Sequence, residues 1–283
     1  MIRTLITMVF LALLSTVVLA SQKNLTEPSN TRQIENLKSY GSTVKLSIKK
    51  IEDRGDKKLV YIKLKRTQDN RPMTLDKLKE VHTQKIHILI LDEGLQDYAH
   101  IHPLETTDPG VYKFEWTPKA RGHYRVWAEL VPLNTNTTEY AVTDLMFMKN
   151  NKSNKPDSSH TVSMENTVEG LTFKLSFDSK DLRAGKAYMG RIDVSDAQGM
   201  PIEDLEPIMG SFAHIVGFSD GLTNVVHIHP MGKEPTSETD RSGPEFEFHI
   251  EPKNSGFIKI FVQVRFKGKE IIVPFGIEIQ KAR

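Results

Sequence analysis

The chain has 283 residues, and its 38 Lys and Arg nearly cancel its 36 Asp and Glu. The charges are scattered rather than gathered into a basic stripe, which excludes the footprint of a nucleic-acid binder. It contains no cysteine, so disulfides, thiolate metal ligands and cysteine nucleophiles are excluded together.

In chain order, Met1-Ile2-Arg3 leads into an uncharged apolar run, Leu5 to Leu19, that closes on Ala20 before Ser21. A basic start, a short apolar core and a small residue are the parts of a secretory signal peptide. Residues 1–20 are therefore expected to be a signal peptide and 21–41 a flexible leader. The mature protein is expected to be periplasmic or secreted, with no membrane span after cleavage.

Short runs rich in β-branched and aromatic residues follow: Val44 to Ile48, Leu59 to Leu64, Lys85 to Leu91, Val111 to Trp116 and Tyr124 to Leu130. Gly, Pro, Asp and Asn separate them, the punctuation of an all-β chain. Thr74 to Glu80 is expected to form a helical turn or two. Residues 150–162 are polar, lack large apolar side chains and contain Pro156, a linker composition.

Beyond the linker the sequence repeats itself. Val44 to Ile48 returns as Phe173 to Phe177, Tyr112 to Pro118 as Phe246 to Pro252, and Gly122 to Trp127 as Gly256 to Phe261. The predicted architecture is two tandem immunoglobulin-like β-sandwich domains, 42–149 and 163–283, each of about seven strands.

The repeat also keeps histidines. His87, His100 and His102 match His214, His227 and His229, with the same 13- and 15-residue spacings in both copies (100−87 and 227−214; 102−87 and 229−214). Lys85 to Pro103 reads as a β-hairpin around Asp92 to Leu95. An even-numbered loop sets 87 opposite 102 and 89 opposite 100, placing all three histidines on one face. An odd-numbered loop turns His87 to the other face. The apolar pattern favours the first, because Ile86, Ile88, Ile90 and Ile101 then share the core face.

Three imidazoles on one face suit zinc or copper, with a fourth position left for water or another side chain. His82 and Met209 hold equivalent positions five residues before His87 and His214 and are candidate fourth ligands; the thioether of Met209 would favour copper. Trp116, Trp127, Tyr112, Tyr124, Phe246, Phe248 and Phe261 are expected in the core, some of them screening the histidines. His123, His160 and His249 have no counterpart and read as surface or rim residues. No phosphate loop, nucleophile elbow or catalytic triad stands out, and no catalytic residue is assigned.

The segments Ile208 to His214 and Val226 to Pro230 resemble exported bacterial proteins of the YtkA-like and FixH-like group. That resemblance covers the centre of each repeat and implies a cupredoxin-like or immunoglobulin-like sandwich, an envelope location and a link to copper. His82, where the pattern has methionine, departs from it. The resulting expectation is a non-enzymatic metal-binding protein for copper or zinc, one site per domain, acting in buffering or delivery with an envelope protein as its partner. The competing reading is an interaction module whose histidines only brace a hairpin.

Overall fold

The computed structural model describes residues 31–32, 41–147 and 160–283; the expected signal peptide, most of the leader and most of the linker lie outside them. Among the described residues there is no α-helix, and no helix is long and apolar enough to cross a membrane. The turn or two expected near Thr74 is a single 3-10 turn, Leu75–Lys77.

The first domain holds strands β1 (Thr31–Arg32), β2 (Val44–Arg54), β3 (Lys57–Arg66), β4 (Leu78–Lys79), β5 (His87–Asp92), β6 (Tyr98–Ile101), β7 (Leu104–Glu105), β8 (Val111–Trp116), β9 (Gly122–Pro132) and β10 (Glu139–Phe147). They form two sheets, β1-β10-β9-β5-β6 with β4 beside β9, and β2-β3-β8-β7. Alternation along β2, β3 and β8 sends Val44, Leu46, Ile62, Leu64, Tyr112 and Phe114 inward to meet Ile86, Ile88 and Ile90 of the facing sheet. Packing one apolar face of each sheet on the other is what makes this a sandwich.

The second domain holds β11 (Glu165–Val168), β12 (Leu171–Phe177), β13 (Tyr188–Ser195), β14 (His214–Ser219), β15 (Val225–Pro230), β16 (Glu245–Ile250), β17 (Gly256–Phe266) and β18 (Lys269–Ile279). Their order is β11-β12-β13-β16-β15-β14-β17-β18. Strand β15 pairs with both β14 and β16, stitching the two layers together at one corner. Phe173, Ile192, Phe248, Ile260 and Phe275 are among the side chains filling its core.

A third apolar cluster lies between the domains. Leu89, Leu91, Leu95, Tyr98 and Trp127 of the first pack against Phe218, Leu222, Phe257 and Phe261 of the second, with Val216 and Val225 alongside. Tyr98 stacks on Phe261 with ring centres 4.5 Å apart, and Trp127 lies 5.0 Å from Phe218. Trp127 and Phe261 are thus interface residues, whereas Trp116, Tyr112, Tyr124, Phe246 and Phe248 belong to the domain cores.

The surfaces that meet are the same in both domains. Leu89, Leu91, Leu95 and Tyr98 correspond to Val216, Phe218, Leu222 and Val225 at a constant offset of 127 residues (216−89). Leu95 and Leu222 each sit at φ 56 and are buried. A left-handed backbone is unfavourable for a leucine, so its use in both hairpins shows how firmly the interface holds these tips.

Candidate metal centre

Each histidine owes its position to hairpin geometry. The β5–β6 ladder pairs Ile88 with Ile101, Leu89 with His100, Ile90 with Ala99 and Leu91 with Tyr98. Residues 92–97 separate the last paired positions, Leu91 and Tyr98, a stretch longer than expected but even in number, so the parity that gathers His87, His100 and His102 on one face holds. Asp92 fixes that turn by accepting hydrogen bonds from the backbone N–H groups of Gly94, Gln96 and Asp97.

On that face one ring nitrogen from each of His87, His100 and His102 lies within 4.8 Å of the others. His87 Nδ1 is 3.1 Å from His100 Nε2 and 3.1 Å from His102 Nε2. Metal–nitrogen bonds of about 2.0–2.1 Å in a tetrahedron hold ligand nitrogens roughly 3.3 Å apart, so the spacing suits one ion.

Outer hydrogen bonds fix which nitrogens carry protons. His87 Nε2 donates to the Val81 carbonyl at 3.1 Å, leaving a lone pair on Nδ1. Gln263, from the second domain, donates its amide N–H to Glu270 at 2.6 Å and so turns its oxygen toward His100 Nδ1, 3.1 Å away. His100 Nδ1 therefore donates, and its Nε2 also presents a lone pair. Two lone pairs facing each other at 3.1 Å call for a cation, an added proton or an N–H from His102, whose Nε2 also lies 3.1 Å from His87 Nδ1.

A proton is a poor solution here. Burial, and then the neighbouring His102, hold His87 down to about 4; burial, and then His214, lower His102 to about 4. His100 is pushed well below the usual histidine range, first by burial and then by His214, His87 and His102. The imidazoles are thus kept neutral near pH 7, the form that binds metal.

The second domain places His214 against this cluster. Its Nε2 donates to the carbonyls of Ile208 at 3.1 Å and Met209 at 3.2 Å, repeating the His87 arrangement, and burial lowers it to about 4. Its ring centre is 5.2 Å from that of His100. The β14–β15 ladder pairs Val216 with His227, and position 229 follows two residues along the same strand. The side chains of His227 and His229 lie outside what the structure describes.

His82 and Met209 each occupy a two-residue turn with left-handed backbone, φ 45 at His82 with 65 at Thr83, and φ 50 at Met209 with 77 at Gly210. This is the tight hairpin form that requires positive φ at both positions. The two turns touch: a Cβ on Gly210 would lie 2.7 Å from Thr83 Cγ2 and 3.2 Å from the His82 carbonyl carbon. Glycine is needed there for space as well as for backbone angle.

His82 is not one of the three converging histidines of its own domain. Its ring meets His214 of the other domain edge-on, centre to centre 5.5 Å. Met209 contributes its carbonyl to His214. Among the remaining histidines, His123 is largely buried and bonds to buried Asp144, which also takes Arg125; His160 pairs with Asp220 on the surface.

A cavity of about 170 Å³ opens on this region, lined among others by His82, His87, His100, His214, Glu129 and Tyr140. Burial raises Glu129 to about 7, opposed by the hydrogen bond it accepts from Tyr140 at 3.2 Å. Gln263, Glu129 and Tyr140 were not singled out from sequence. The available signal was Leu89 and Leu91 beside the histidines, since all of β5 is buried and a strand apolar on both faces is covered on both.

One family profile, described as a domain of unknown function (DUF8832), matches the chain twice, over residues 37–144 and 166–281. No curated protein matches it. Similar solved structures include a glycosyl hydrolase family 2 member from Bacteroides cellulosilyticus, with 13% identity over 78% of this chain and 24% of that one at a TM-score of 0.22. The Yersinia pseudotuberculosis adhesin InvE is similar at 10% identity over 84% of this chain and 59% of that one, TM-score 0.25. The D00-D0 domain of intimin is similar at 10% identity over 82% of this chain and 98% of that one, TM-score 0.22. The chain spans about a quarter of the hydrolase and under two thirds of InvE, and scores this low carry no inference about activity.

Proposed function

The chain belongs to the DUF8832 family in both of its halves, and we propose that it is an exported, non-enzymatic metal-binding protein that buffers or delivers copper or zinc. The observation that carries this reading is the convergence of His87, His100 and His102, with the protons of His87 and His100 fixed outward by Val81 and Gln263. Imidazole ligands without thiolate suit Zn(II) and Cu(II). Equivalent ligands in the second domain would be His214, His227 and His229. The apolar start of the sequence supports export to the periplasm or beyond, and the resemblance to YtkA-like and FixH-like proteins supports copper.

Metal titration of the mature protein by calorimetry, with Zn(II) and then Cu(II), tests the reading. Tight binding that H100A or H102A removes is the expected result; no binding at micromolar metal overturns it. The competing reading is a non-catalytic envelope module in which the histidines brace the domain interface. It is favoured by the bonds of His87 and His214 to turn carbonyls, and it predicts that the same variants lose stability and no metal.

A further inference from the structure

We infer that the domain interface holds two metal ions side by side, the second on a locus built around His214 and His82, so that the protein carries one dinuclear centre rather than two separate sites. This rests on the reading of His87, His100 and His102 as ligands of the first ion.

His214 commits its Nε2 to the Ile208 and Met209 carbonyls, as His87 commits its own to Val81, which leaves the lone pair on Nδ1. His82 supplies a second nitrogen from the opposite domain. Its Nδ1 is buried with no hydrogen-bond partner; the nearest carboxylate, on exposed Glu234, stands 3.6 Å away, outside hydrogen-bond range. The side chain as a whole is 30% exposed, so this nitrogen keeps unused hydrogen-bonding capacity at a place an entering ligand can reach. Strand β15 carries histidines at 227 and 229, the positions that 100 and 102 hold in the first repeat.

The two loci adjoin where His100 and His214 meet, their ring centres 5.2 Å apart. Ions held by adjoining rings would be neighbours within one centre, the general arrangement of two-metal sites. The loci are not identical. Gln263 braces His100, whereas its positional counterpart, opposite His87 on β9, is Glu129.

Copper(II) ions titrated into the full mature chain, followed by electron paramagnetic resonance, test this. The expected signal grows through the first equivalent and falls through the second as neighbouring spins couple. H214A, and separately H82N, which keeps a residue tolerant of the turn's backbone, should abolish the second equivalent and the fall while retaining the first; circular dichroism of each variant reports whether it folds. Saturation at one equivalent, a signal that grows linearly through two, or an unchanged second equivalent in folded H214A and H82N overturns the dinuclear centre while leaving the first site intact. Binding of no copper at all overturns both readings.

Discussion

At the scale of single residues, the proposed metal site depends on groups that would not touch the ion. Gln263 holds one tautomer of His100 only because Glu270 holds the amide of Gln263. Replacing it in Q263L keeps the volume and removes the acceptor. Metal affinity is expected to fall about 10–100-fold with an unchanged far-ultraviolet circular dichroism spectrum, read by titration. An unchanged affinity would show that His100 needs no such brace.

The same residues set the response to acid. His87, His102 and His214 are held to about 4 and His100 well below its usual range, while in an unfolded chain each takes a proton near the ordinary histidine value of 6.5. Between these values the unfolded state binds more protons, so stability is lost as pH falls from 6.5 toward 4. Glu129 acts in the opposite sense: its folded value, about 7 against 4.5, removes stability as pH rises through that window. Four histidines outweigh one glutamate, so the denaturation midpoint of chelator-treated protein should climb from pH 4.5 to 6.5. A flat or falling midpoint would mean that the rings are solvated.

At the scale of elements, the hairpin and the turn contact decide the geometry. Alternation with period 2 made the parity of β5 and β6 legible from sequence, because Ile86, Ile88, Ile90 and Ile101 have one core to face. Turn length was less legible: Asp92 organises a longer loop through three backbone bonds that leave no periodic trace. What covers the histidine face was not legible either, since contact between domains has no local period and shows only as the unbroken apolar character of β5. Trp127→Ala should cost about 3–5 kcal/mol, measured by denaturant unfolding; because Trp127 packs on Phe218, the loss should be accompanied by weaker metal binding. Gly210→Ala drives a methyl into Thr83, and the expected consequence is separation of the two turns, with the contact of His82 and His214 lost first.

For the whole molecule, a metal at the proposed position would tie ligand binding to domain docking. Gln263 and His214 reach the first-domain cluster only while the interface is closed, so an ion that binds the closed form stabilises it by mass action, about 2.7 kcal/mol at a hundredfold excess over Kd. Differential scanning calorimetry should show an upward shift in the unfolding transition with metal, absent in H100A. A shift that persists in H100A would place the stabilising ion elsewhere.

The matching surfaces at the interface have a further consequence. Leu89, Leu91, Leu95 and Tyr98 meet the region formed by their own counterparts, Val216, Phe218, Leu222 and Val225; such a self-complementary contact is the isologous geometry of a two-fold homodimer. The tandem chain is in effect a dimer written as one polypeptide. Tethering replaces a bimolecular encounter with an effective concentration in the millimolar range and releases the halves from identity. One half can then carry His82 and Glu129 where the other carries Met209 and Gln263, an asymmetry that no assembly of identical subunits can encode.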